Sequence, residues 1–219
     1  MTMSTEPMFN LREKTPIIVF AILSAFHILK FILPASLSAL ATPWIFLFPL
    51  GFEGTSLTQN FVSLLGYGLV HADISHLIMN GFMIVAFGVV TLQGLRANIS
   101  IRPVLFTPVQ KFYLIFILGV IVGGLFQWGW WAISHKTGVA IGASGGASAL
   151  FATMAYAIGG RDRMLKFGLG WGVGNVLLTL VGPSLGIHIA WAAHVGGYIL
   201  GMILARFWVR PTSTSFKLN

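Results

Sequence analysis

The chain has 219 residues, of which 56% are hydrophobic and only 8% charged, with a mean hydropathy of +0.87. A water-soluble domain carries about 25% charged residues, so five acidic residues exclude a soluble surface and leave a polytopic membrane protein. The formal charge of +8 would suit nucleic acid, but the basic residues sit in short links between apolar runs, which is the pattern of membrane orientation and argues for no nucleic-acid partner.

There is no cysteine, so neither disulfides nor thiolate chemistry arise. Without cysteines or an acidic cluster, no metal site and no cofactor are expected. Residues 1–15 mix Glu6, Arg12, Glu13 and Lys14 and read as an N-terminal tail. They have neither the Arg-rich character of a transit peptide nor a signal-cleavage pattern, so the first apolar segment is expected to remain as an anchor.

A membrane-spanning helix needs about 20 mostly apolar residues. Six segments qualify: Pro16–Leu33, Ile74–Leu92, Phe112–Ile133, Val139–Ile158, Phe167–Val181 and Ile189–Val209. The expected fold is therefore all-α, a six-helix membrane domain over residues 16–209 followed by a tail over 210–219. Pro16 opens the first span, where a missing N–H costs nothing, and Lys30 near its far end is expected to snorkel to the interface. Pro34–Val70 is apolar but broken by Pro34, Pro43, Pro49, Gly51 and Gly54. With Trp44, Phe46 and Phe48 suited to the interface, it reads as a long loop on one leaflet.

The basic residues test this count. With the N-terminus inside, eleven of the thirteen Lys and Arg fall on the cytoplasmic side, leaving Lys136 in an outer loop and Lys30 within a span. One more span in Pro34–Val70 would scatter the later basic links to alternating sides. Both termini are thus expected in the cytoplasm.

The second, fourth and sixth spans then all begin at the outer face. His76 and Asn80 on the second, Ser144 on the fourth and His194 on the sixth lie roughly 3–10 Å below that surface at 1.5 Å per residue. Intramembrane polar groups are costly and face the bundle or a wet cavity, so four at one depth suggest a site. Ser144 lies in Ile141-Gly142-Ala143-Ser144-Gly145-Gly146-Ala147-Ser148, where a serine is either a nucleophile or a small residue at a helix contact. A serine nucleophile needs a base, and histidine is the usual one. The acidic residues lie outside the spans, Asp73 nearest at a loop–helix junction, so the residues allow a Ser144–His194 dyad and no Ser-His-Asp triad. His76 and Asn80, at i and i+4, project from one helix face and with the Ser144 N–H are candidate oxyanion donors. Gly168, Gly170, Gly172 and Gly174 on the fifth span make it either a moving gate or a close-packing helix. The link Gly182–Gly186 reads as a lid, and His135 and His188 as loop histidines.

Together these motifs resemble the rhomboid intramembrane serine proteases, in a minimal bacterial form. The matching residues are His71-x4-His76-x3-Asn80, Gly142-Ala143-Ser144-Gly145 and Ala193-His194-x2-Gly197-x3-Gly201, in order and on successive spans. The resemblance implies cleavage of substrate transmembrane segments near the outer face of the bilayer. It implies Ser144 as nucleophile, His194 as general base, and His76 and Asn80 in the oxyanion hole. His71, Gly142 and Gly145 become supporting residues, and Gly197 and Gly201 let the sixth helix press against the fourth. The implied partners are transmembrane proteins and the lipid bilayer, and the implied location is a bacterial plasma membrane; the oligomeric state is not readable.

Two positions depart from the family. An aromatic residue four after the serine commonly stacks on the catalytic histidine, and here that position is Ser148; Phe151 or Trp191 is the expected substitute. A Trp-Arg pair found in the first loop of some members is absent. Two other readings remain: a weak or inactive relative that binds transmembrane segments, and a small transporter. Polar groups confined to the outer half and the lack of an inverted repeat argue against the transporter.

Overall fold

A computed structural model describes residues 13–98, 105–185 and 188–211. Arg12 and the tail before it, Arg102, the Gly186 end of the expected lid, and the tail from Thr212 with Lys217 lie outside the described residues. The described residues form seven α-helices in order: α1 (Lys14–Ile32), α2 (Ala35–Ile45), α3 (Leu57–Gly66), α4 (Ile74–Ala97), α5 (Pro108–Ser134), α6 (Ser144–Val181) and α7 (Trp191–Trp208). No strand forms among the described residues; Leu47 and Ala140 make one isolated antiparallel bridge. The fold is an all-α membrane bundle.

Among the described residues, four stretches are long and apolar enough to cross a membrane: α1, α4, α5 and Ser144–Ser184. The last is two arms. Backbone angles leave the helical region only at Gly159 and Gly160, whose φ values are −166° and +65°. A straight helix would separate residues 151 and 171 by about 30 Å, yet the Phe151 and Trp171 rings lie 5.3 Å apart. The chain therefore reverses at this glycine pair, and the positive φ of Gly160 is a conformation that favours glycine. The first arm is residues 144–158 and the second 161–181. The expected link before Phe167 is thus helical from residue 161, because two glycines suffice for the turn.

The fourth helix also starts later than expected, at Ser144 rather than Val139. Leu47 and Ala140 exchange two backbone hydrogen bonds, 3.0 and 2.9 Å, and Gly142 at φ +117° cannot belong to a helix. Its N–H donates to the Tyr67 carbonyl at 2.8 Å. These bonds draw the segment before Ser144 into extended pairing with the first loop.

That loop is more ordered than a proline-rich stretch suggests, since it holds α2 and α3. α3 opens with a reciprocal capping box between Ser56 and Gln59. Trp128 Nε1 donates to the Phe48 carbonyl at 2.7 Å, and the Lys30 ammonium donates to the carbonyls of His71 and Ala72 at 3.2 and 3.1 Å. Lys30 thus tethers the loop end to α1. At the opposite end of α1, Glu13 pairs with Arg96 at the end of α4. Apolar side chains such as Ile22, Phe82, Leu169 and Leu180 stay exposed, as a lipid-facing surface requires.

At the centre, α7 lies against the first arm of α6. A Cβ at Gly197 would collide with the Gly145 carbonyl, and one at Gly201 with the Ala149 carbonyl. Only glycine lets these backbones touch. The second-arm glycines behave differently: Gly168 meets Tyr198, but Gly170, Gly172 and Gly174 have open space around them. Close packing therefore does not explain those three.

The same substitution should act oppositely at two glycines. Gly201→Ala forces backbone apart and should destabilise the bundle by about 1–3 kcal/mol. Gly174→Ala fills open space in a helix and should be neutral or stabilising by roughly 0.5–1 kcal/mol. Thermal unfolding of both variants in detergent checks the signs.

Candidate active site

Three helix starts meet at one end of the bundle. Ser144 is the first residue of α6, His194 the fourth of α7, and His76 the third of α4. The first N–H groups of a helix have no intrahelical partner, so Ser144 sits where free backbone donors and the positive helix end coincide. The residue is buried, 8% exposed. Ser148 Oγ donates to the Ser144 carbonyl at 2.7 Å, one turn along.

His194 Nε2 lies 2.7 Å from Ser144 Oγ. Its other ring nitrogen, Nδ1, lies 2.6 Å from Asn175 Oδ1. Trp171 stacks on the imidazole with centroids 5.7 Å apart and planes at 30°. The ring against His194 is thus neither Phe151 nor Trp191. Phe151 packs edge-on against Trp171, and Trp191 edge-on against Trp130. With a serine four after Ser144, the ring stacked on His194 comes instead from the second arm of α6.

Sequence reasoning missed both Trp171 and Asn175. The available signal was one turn of helix: the two are i and i+4 on the fifth span, so they share a face, and Asn175 is a lone amide among apolar residues. Which neighbour that face meets depends on the reversal at Gly159–Gly160.

On α4, the His76 ring covers Gly142: a Cβ there would lie 2.8 Å from its Cε1 and Nε2. Gly142 thus keeps space for His76 beside the Ser144 loop. Asn80 is fully buried, its Nδ2 donating to the His76 carbonyl at 2.9 Å while Oδ1 has no partner. Gly145 packs on α5, where a Cβ would lie 2.9 Å from the Gly119 carbonyl.

Asp73 takes no part in a triad. It caps α4, accepting from the His76 N–H at 2.8 Å and the Ser75 hydroxyl at 2.5 Å. These donors hold its carboxyl below the usual range. His71 stands edge-on to His76, centroids 5.1 Å apart, completely buried and with neither ring nitrogen partnered. Burial first, then the neighbouring His76, pulls its pKa down to about 3. Among the described residues no group of His, Asp and Glu could hold a metal.

A buried neutral histidine costs stability when it must charge. The unfolded state binds the extra proton between the ordinary pKa near 6.5 and about 3, so stability rises with pH across that window and falls on acidification. Wild type should lose up to about 1.4 kcal/mol per pH unit below 6.5 from this group, and His71→Leu should flatten the slope. Unfolding midpoints from pH 7 to 5 provide the comparison.

A family model described as Rhomboid domain matches residues 58–211, more than half of the chain. Among curated proteins none matches.

Proposed function

This chain belongs to the rhomboid family, and on that premise we propose that it is an intramembrane serine endopeptidase acting through Ser144 and His194. Membership makes it a multi-pass membrane protein and either a protease or a pseudoprotease. The observation that carries the protease reading is the 2.7 Å contact between Ser144 Oγ and His194 Nε2. A pseudoprotease has no use for that contact.

In this reading the Ser144 oxygen attacks the carbonyl carbon of a scissile peptide, and its proton passes to His194 Nε2. The carbonyl electron pair moves to oxygen. His76, Asn80 and the Ser144 N–H stabilise the resulting oxyanion. Asn80 gives one amide hydrogen to the His76 carbonyl and has a second to offer. The imidazolium then returns its proton to the leaving nitrogen, and a water, activated the same way, releases the acyl group.

The chain crosses the bilayer six times, through α1, α4, α5, both arms of α6, and α7, with both termini in the cytoplasm. The basic residues of the links support that orientation, which opens the dyad end to the outside of a bacterial plasma membrane. Water, which the bilayer core excludes, enters there. Substrates are transmembrane segments, whose peptide bonds are shielded by helical hydrogen bonding. Segments with glycine, proline or β-branched residues near the scissile bond unwind most readily and should be cleaved fastest.

A fluorescent fluorophosphonate should label purified wild type but neither Ser144→Ala nor His194→Ala, and only wild type should cleave a single-span substrate in liposomes. A wild type that neither labels nor cleaves sinks the protease reading. Asn80→Ala should label but lose about 100-fold in kcat, the cost of one oxyanion donor; unchanged turnover would remove Asn80 from that role.

A further inference from the structure

We infer that Asn175 is a positioning residue for His194, holding the imidazole in the tautomer that leaves Nε2 free to take the Ser144 proton. The inference rests on the proteolytic reading above and extends it to a residue outside the three motifs.

The argument is a count of donors and acceptors. Asn175 is 2% exposed, so its amide cannot turn to water. Its Nδ2 donates to the Trp171 carbonyl one turn back, at 2.8 Å. That bond assigns the amide orientation: a flip would set oxygen against oxygen. Oδ1 therefore faces His194 Nδ1 at 2.6 Å. An amide oxygen only accepts, so Nδ1 carries the hydrogen. A neutral imidazole has one N–H, which leaves the Nε2 lone pair pointing at the Ser144 hydroxyl, 2.7 Å away. The reverse tautomer would set an Nε2 hydrogen against Ser144 Oγ and leave no base. The Asn175 backbone is held in turn, its carbonyl accepting from Thr179 Oγ1 at 2.7 Å.

The ring plane is set from the same arm. Trp171 stacks on the imidazole and lies one turn from Asn175, so a single helix face fixes both orientation and tautomer. Asp73, the carboxylate at the start of α4, is committed to capping that helix, and the amide takes the place that a carboxylate fills in a triad. An amide stabilises the imidazolium less than a carboxylate would but costs less to bury uncharged.

The test uses the full chain in liposomes with Asn175→Leu, of similar size without the acceptor, and Asn175→Asp, which keeps an oxygen facing Nδ1. Unfolding midpoints are measured beside kcat, KM and the rate of fluorophosphonate labelling. Asn175→Leu should lower kcat and the labelling rate together by roughly tenfold or more, at unchanged KM and near-wild-type unfolding, and Asn175→Asp should recover a substantial part. If Asn175→Leu matches an active wild type, or if both variants are equally slow, the positioning role is overturned while the protease reading stands. If wild type itself neither labels nor cleaves, that reading falls and takes the positioning role with it.

Discussion

Everything at the functional end depends on a backbone contact between α7 and the first arm of α6. Gly197 rests on the Gly145 carbonyl and Gly201 on the Ala149 carbonyl, with no room for a Cβ at either. Lipid supplies no hydrophobic drive to hold helices together, so close packing of small residues must do it. Ser144 lies one residue before Gly145, and His194 lies three before Gly197. Fixing one pair of glycines therefore fixes the relative height of the other two side chains, and a hydroxyl and an imidazole on separate helices arrive 2.7 Å apart.

The second arm of α6 turns that proximity into an ordered arrangement. A serine at position 148 removes the usual aromatic restraint from the first arm. The reversal at Gly159–Gly160 returns the chain alongside, and Trp171 and Asn175 close on His194 from the far side. The imidazole is thus held by three stretches: α7 carries it, the start of α6 faces Nε2, and the second arm covers its ring and Nδ1. The second arm is also largely open on its outer side, with Leu169, Val173, Val176, Leu177 and Leu180 exposed to lipid. The helix that packs on the His194 ring is thus also one that faces the bilayer.

The same end concentrates buried polar atoms. His71 and Asn80 each keep at least one ring or amide atom without a protein partner. Such groups are expensive in a dry interior, and they gather near Ser144 and His194. Lys30, the Leu47–Ala140 bridge and Trp128 anchor the first loop over this region through backbone carbonyls.

Sequence alone determined the class of the fold, the apolar segments and the identity of Ser144, His194, His76 and Asn80 as candidates, because hydropathy and motif spacing are local properties that survive without coordinates. It also located the contact glycines on α7, since glycine at i and i+4 has a direct steric meaning. Helix ends were less legible. Val139–Ala143 is as apolar as a helix, yet its hydrogen bonds go to Leu47 and Tyr67, far away in sequence. Trp171 and Asn175 were not legible as site residues at all. A tryptophan and an asparagine one turn apart on an apolar helix carry the same local signal whether they face lipid, core or a histidine. Only the tertiary structure decides that face, because the backbone angles at Gly159 and Gly160 set how the second arm returns against α7, and no pattern within the arm encodes that angle.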